Sequence, residues 1–339
     1  MPLISVVLVS VLVGCGSNGT QVRDRAPASP AAALRAGQNR SGGTFLTVAN
    51  GLPNAGDTLQ LRSGPHGAVI RTLVQTNPGT TVSAAQAADG SVVVALTTGC
   101  ATVLERIDSG TSRATALRKV GETSSGIALS PNGTQIAYLT HPSCFVDHCT
   151  GMCDGPVAFL PNVLVVLNLV TGNSSRTATD DQGHPFVALS WSPDGRQIVA
   201  GYEGDLQQLV IFDAANLSFR TALRVPNPAG CSYFAPAWTV AGLVAAQGCG
   251  SEPELSPSRI VQINTRGVVS AQWALPRCID GVTTRTDPAR KRVLVQSNIG
   301  YGDGTCATRS DVQISRVGEG RLHAVLNLPN SDGRVQLDG

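Results

Sequence analysis

Residues 127–140 read IALSPNGTQIAYLT and residues 187–202 read VALSWSPDGRQIVAGY. Each is an apolar run, a Ser-Pro-Asx-Gly turn, and a second apolar run ending in small and aromatic residues. A unit that recurs in this form constrains the fold more tightly than any bulk property of the chain. The turn chemistry is specific. Pro131 and Pro193 pre-set the first turn dihedral, Asn132 and Asp194 tolerate the second corner, and Gly133 and Gly195 accept the positive φ that follows. The flanking Ile, Val and Leu favour a pleated, half-buried surface, so each copy predicts a β-hairpin.

Weaker copies follow the same plan. Residues 82–98 turn at Asp89-Gly90, residues 233–247 at Ala241-Gly242, and residues 281–297 near Asp287-Pro288. Two further short strands follow each hairpin, as in Gln208–Asp213 with Phe219–Val225, Arg259–Asn264 with Val268–Ala274, and Val163–Leu169 with Ser175–Ala178. Four strands per unit at a period of roughly 40–50 residues is the pattern of a β-propeller. The Ser-Pro-Asp-Gly hairpin resembles the propeller repeats of the TolB-like family, the periplasmic cousins of Trp-Asp repeat proteins. The resemblance covers nearly all of residues 44–339.

The fold expected is therefore all-β, a propeller over residues 44–339. Five complete repeats start near residues 80, 125, 186, 233 and 279. Residues 44–75 hold three more strand candidates (TFLTVAN, TLQLRS and AVIRTLV), and Asp332–Leu337 resembles the hairpin turn and following strand once more. If the two terminal regions share one blade, the ring closes with six blades; seven is the alternative. Closure removes the edge strands that an open array would expose.

Residues 1–14 read MPLISVVLVSVLVG, without a charge, and end on Leu12-Val13-Gly14-Cys15. The run falls short of the roughly 20 residues a spanning helix needs, and it matches the apolar core of an export signal. Here the chain resembles bacterial lipoprotein precursors, whose lipobox is Leu, a small or apolar residue, Gly or Ala, then Cys. The resemblance implies that residues 1–14 are a lipoprotein signal peptide and that Cys15 carries the lipid as the first mature residue. It implies a location at the extracytoplasmic face of the cell membrane. Two or more acyl chains, at about 0.8 kcal/mol per buried methylene, make such anchoring stable. Residues 15–43, rich in Gly, Ser, Ala, Pro and Asn, predict a flexible tether.

Eight other cysteines remain: Cys100, Cys144, Cys149, Cys153, Cys231, Cys249, Cys278 and Cys306. An even number in an exported chain predicts disulfides. Cys231 precedes the first strand of its repeat and Cys249 follows the second, which brings them opposite each other in a hairpin, within bridging reach. Cys278 and Cys306 hold the same two places in the next repeat. Cys100 is expected to join one of Cys144, Cys149 and Cys153, with the other two pairing locally. All eight fall before first strands or after second strands, and antiparallel geometry puts both loop types on one face of the disc. The longest insertion, residues 141–161, lies there too. Loops on a rigid scaffold carry binding function.

Catalytic patterns are weak by comparison. Neither Gly-x-Ser-x-Gly nor His-Glu-x-x-His occurs. The segment His141–Asp154, with Cys144, His148, Cys149, Met152 and Cys153, has the look of a zinc or copper cluster, but oxidised cysteines cannot ligate. His184 beside Asp180 and Asp181 is a candidate general base, and Asp303 a candidate calcium contact; each reads more simply as a loop residue. Trp191, Trp238 and Trp273 recur at strand positions and read as blade packing. With 14% charged residues and a net charge of +2, nothing in the charge balance favours nucleic acid. The expectation is a lipid-anchored, monomeric binding or scaffolding module, engaging a protein or small ligand at the loop-rich face, without cofactor or metal and touching the membrane through lipid alone. The alternative is a propeller enzyme, a lyase or glycosidase, with catalytic residues on loops around the central funnel.

Overall fold

The computed structural model describes residues 44–51, 55–64, 66–120, 124–140, 162–178, 186–202, 208–222, 231–249, 257–264, 266–287, 289, 291–299, 311–328 and 335–338. They form 24 strands in six four-stranded antiparallel sheets, and there is no helix among the described residues. Five sheets are consecutive in sequence. They are β4–β7 (Thr80–Gln86, Val92–Thr98, Ala101–Ile107, Ala114–Val120), β8–β11 (Ser124–Leu129, Gln135–Thr140, Val163–Asn168, Ser174–Ala178) and β12–β15 (Phe186–Trp191, Gln197–Tyr202, Gln208–Asp213, Phe219–Ala222). Then come β16–β19 (Cys231–Thr239, Gly242–Cys249, Pro257–Ile263, Val269–Ala274) and β20–β23 (Ile279–Thr286, Val293–Ile299, Asp311–Val317, Leu322–Leu328). The sixth joins β24 (Val335–Asp338) to β1 (Thr44–Ala49), β2 (Thr58–Ser63) and β3 (Val69–Gln75).

Blade count and ring closure match the sequence expectation, with one difference of detail. The sequence places Val335–Leu337 after a turn, as a second strand. In the structure β24 is the innermost strand, and β1 is the second strand that follows it in space, with Leu46 opposite Asp338 and Ala49 opposite Val335. The hairpin of this blade is thus split between the two ends of the propeller.

Sequence and burial agree most closely in the second strands. Second strands such as β5 (VVVALTT) and β17 (GLVAAQGC) are buried along most of their length, because both faces lie against neighbouring blades. That is why they read as continuous apolar runs rather than alternations. Outer strands such as β7 (ATALRKV) are largely exposed and admit charged residues such as Arg118 and Lys119. Six buried apolar clusters, among the described residues, each fill the space between two adjacent blades. Trp191, Trp238 and Trp273 all sit in such clusters, as their strand positions predict.

Hydrogen bonds also run around the ring. Trp191 Nε1 donates to Ala128 O (3.0 Å), Trp238 N to Ser190 Oγ (2.9 Å), Arg106 Nη2 to Gly133 O (2.8 Å), Thr284 Oγ1 to Ala235 O, and Leu337 N to Gln296 Oε1. Each fastens one blade to the next. The inner strands β8, β12, β16 and β20 each carry a register shift, and in three of them a residue inside it has a positive φ: Gly126 (68°), Ala188 (47°) and Ala235 (46°). The bulges bend these strands where they crowd the axis.

The turns behave as their residues dictate. Gly133 and Gly195 have φ near 70°. Ser130 Oγ donates to Asn132 Oδ1 and accepts from Gln135 N, and Ser192 makes the same two bonds with Asp194 and Gln197. The Ser of the repeat is therefore a structural part of the turn, closing it from the side-chain face.

Candidate functional site

Antiparallel topology sorts every connection onto one of two faces. First-to-second and third-to-fourth strand turns share one face, the turn face, and all are short. The other face takes the second-to-third and fourth-to-first connections; β9 ends and β10 begins on it, and residues 141–161 between them lie outside the described residues. The four described cysteines all lie on this second face: Cys100 between β5 and β6, Cys231 at the start of β16, Cys249 at the end of β17, and Cys278 between β19 and β20. Cys231 and Cys249 are register partners and form a disulfide, with Cα atoms 4.0 Å apart. Cys100 and Cys278 are also disulfide-bonded, with partners outside the described residues. Cys15, Cys144, Cys149, Cys153 and Cys306 lie outside the described residues, as do His141, His148, His184 and Asp303.

Beneath the Cys231–Cys249 staple, Tyr233 and Gln247 form a buried polar pair, while the buried Ser232 hydroxyl has no hydrogen-bond partner among the described residues. Tyr233 is buried and its hydroxyl accepts from Gln247 Nε2 at 3.0 Å. Burial pushes the phenol above its ordinary pKa, the Gln247 bond opposing this in part. Asn162 ends the longest connection and is itself buried. Its Nδ2 donates to Phe186 O (2.7 Å) and its Oδ1 accepts from Phe186 N (2.9 Å). The side-chain amide thus pairs with the first residue of β12 as a neighbouring strand would, and moors the end of that connection to the channel wall.

At the turn face, the axial channel narrows to a cavity of about 40 Å³, room for two or three waters. Its wall is made of small residues (Ala85, Ala128, Ala237) and of polar groups, several of them already bonded within or between blades. Ser190 Oγ accepts from Trp238 N, Thr284 Oγ1 donates to Ala235 O, and Asp287 Oδ1 accepts from the backbone of Lys291 and Arg292. Asp287 is the one carboxylate lining this mouth among the described residues. Also among the described residues, no three His, Cys, Asp or Glu side chains gather in a way that would hold a metal.

Two structural roles have a signal in the chain that the hairpin pattern does not exploit. One is Asn162. The other is an Asx residue closing four of the six third strands: Asp108, Asn168, Asp213 and Asn264 accept backbone N–H bonds from residues two to four positions on. The recurrence of Asp or Asn at the end of IDSGTS, LNLVTGN, FDAANLS and INTRGV marks these outer turns as clearly as Ser-Pro-Asx-Gly marks the inner ones.

No protein-family model matches the chain, and no curated protein matches it in sequence. Solved structures do match. The chain is similar to the crystal structure of TolB from Acinetobacter baumannii, with a TM-score of 0.58 and 18% identity over 87% of this chain; it spans 65% of the length of that protein. The fold is a TolB-like six-bladed β-propeller. A putative TolB from Agrobacterium tumefaciens matches over 87% of this chain and 97% of its own, with a TM-score of 0.52 and 14% identity. At these identities the likeness to TolB is one of fold.

Proposed function

We propose that this protein is a lipid-anchored, extracytoplasmic binding or scaffolding module that presents its cysteine-bearing face to a protein or small-ligand partner. The observation that carries the reading is the asymmetry of the disc. One face has short turns and a channel mouth where Ser190 and Thr284 are spent on joining blades and Ser130 and Asp287 on closing their own turns. The other carries the long connections and, among the described residues, every cysteine, each of them oxidised. Disulfides of this kind persist in oxidising compartments, which supports an extracytoplasmic location. The Leu12–Cys15 sequence supports anchoring through Cys15, with membrane contact through lipid alone and a monomeric disc.

Two measurements test this. Mass spectrometry of the N-terminal peptide from the membrane fraction is expected to find a diacylglyceryl group on Cys15, absent in Cys15→Ala. Cross-linking in intact cells is expected to capture a partner on the cysteine-bearing face. An unmodified Cys15, or turnover of a glycan substrate by the purified protein without any captured partner, would overturn the proposal.

A further inference from the structure

The turn face is not featureless away from the axis. Between the blade β16–β19 and the blade β20–β23 a cleft of about 670 Å³ opens on it, within the range of ligand-binding sites. Its floor is apolar, with Val244, Ala271 and Trp273 from one blade and Val293 and Val317 from the other. Trp273 is 8% exposed, and its Nε1 donates to Gly318 O at 2.7 Å across the two blades, so the ring is held in place as part of the floor. Gln262 lines one wall; its Nε2 donates to Ala241 O (3.2 Å), which leaves Oε1 as an acceptor.

The rim carries charge of both signs. Lys291 and Glu319 line the cleft from the second blade, both are exposed, and neither side chain bonds to another described residue. Val240, at the lip, is 63% exposed and carries the apolar lining up to the rim.

We infer that this inter-blade cleft binds an extended peptide segment of a partner protein, seating an apolar side chain over Trp273 and placing an acidic and a basic residue of the peptide against Lys291 and Glu319. An apolar floor selects the central side chain. The two rim charges select its flanks and their order, and Gln262 Oε1 is placed to accept a backbone N–H. A small apolar molecule would use the floor and leave both charges unanswered. The site is on the opposite face from the cysteines and does not rest on the function proposed above.

The test uses the full chain labelled with 5-fluorotryptophan, its three fluorine resonances assigned by single Trp→Phe variants. Two blocked peptides, acetyl-Glu-Ala-Leu-Ala-Arg-amide and acetyl-Arg-Ala-Leu-Ala-Glu-amide, are titrated in. One order is expected to move the Trp273 resonance at a Kd below about 1 mM. Lys291→Glu and Glu319→Lys, both at exposed positions, are each expected to weaken that peptide by about tenfold or more, and the double reversal to transfer preference to the other order. The inference is overturned if neither peptide moves the resonance, if indole alone moves it as strongly as the peptide (a small-molecule pocket), if the charge reversals leave affinity unchanged, or if the shift depends on protein concentration without peptide (a second copy of the chain). A pre-treatment that reduces the disulfides is expected to leave the peptide shift intact, so this outcome and that of the cysteine-bearing face are read separately.

Discussion

Leu337 is where ring closure can be measured. It is 2% exposed, pairs with Thr47 of β1 across the closing seam, and packs in one cluster with Phe45, Leu294, Val312 and Ile314. Those four side chains come from β1, β21 and β22, so Leu337 is the point where the last blade and the closing strand meet. Leu337→Ala removes the buried methyl and methylene groups and leaves a cavity, a change that costs about 2–5 kcal/mol in well-packed cores. β24 is only four residues long, and its other fastening here is the bond from Leu337 N to Gln296 Oε1. The upper part of that range, about 3–5 kcal/mol, is therefore expected, enough to lower Tm by about 5 °C or more. The assay is urea unfolding followed by tryptophan fluorescence, alongside thermal melting. Val170→Ala is the control: Val170 is 79% exposed in an outer turn, and its change is expected to stay within about 0.5 kcal/mol. If Leu337→Ala behaves like Val170→Ala, the reasoning that β24 locks the ring is refuted.

Other expectations follow from single interactions. Replacing Cys231 and Cys249 by Ala together removes a bridge spanning a sequence separation of 18 and is expected to cost about 2–3 kcal/mol in urea unfolding; an unchanged midpoint would show that the hairpin alone holds this edge. Asp194 has its carboxyl held below the ordinary carboxylate range, first by the Ser192 hydroxyl and then by Arg196 N. A depressed folded pKa adds stability above the unfolded value of about 3.9 and loses it as pH falls through the folded value. Asp194→Asn, which copies the natural Asn132 turn, is accordingly expected to lose less stability than the parent between pH 6 and pH 3, and equal losses would contradict the assignment. Gly195→Ala meets only ordinary contact, with Pro131 Cδ 3.6 Å from the added carbon, so its expected cost of about 1–2 kcal/mol comes from the positive φ alone. Trp191→Phe deletes the donor to the buried Ala128 carbonyl and is expected to destabilise by about 1–3 kcal/mol, seen as a lower urea midpoint at unchanged slope.

The fold was legible because each blade repeats the same local solution. Ser130-Pro131-Asn132-Gly133 carries its turn geometry in four residues, and β9 and β13 announce burial on both faces by uninterrupted apolar runs. The seating of β24 was less legible. Four residues without a neighbouring hairpin carry no information about whether they come first or second in a sheet, and only the register with β1 decides it. The cysteine-bearing face followed from topology alone, since strand order fixes where Cys100, Cys231, Cys249 and Cys278 emerge. The cleft was invisible for the opposite reason. Val240, Gln262, Trp273, Lys291 and Glu319 belong to five different turns and strands, and no spacing between them repeats elsewhere in the chain.

The pairing of β1 with β24 also bears on kinetics. Leu46 meets Asp338 across almost the whole propeller sequence, whereas every other strand pair joins near neighbours in the chain. The entropy of closing so long a loop is recovered only when the final contacts form. Five blades can therefore assemble as an open arc long before the sixth is complete, and during that interval the unpaired edge of β1 is the part of the molecule most exposed to capture by another chain.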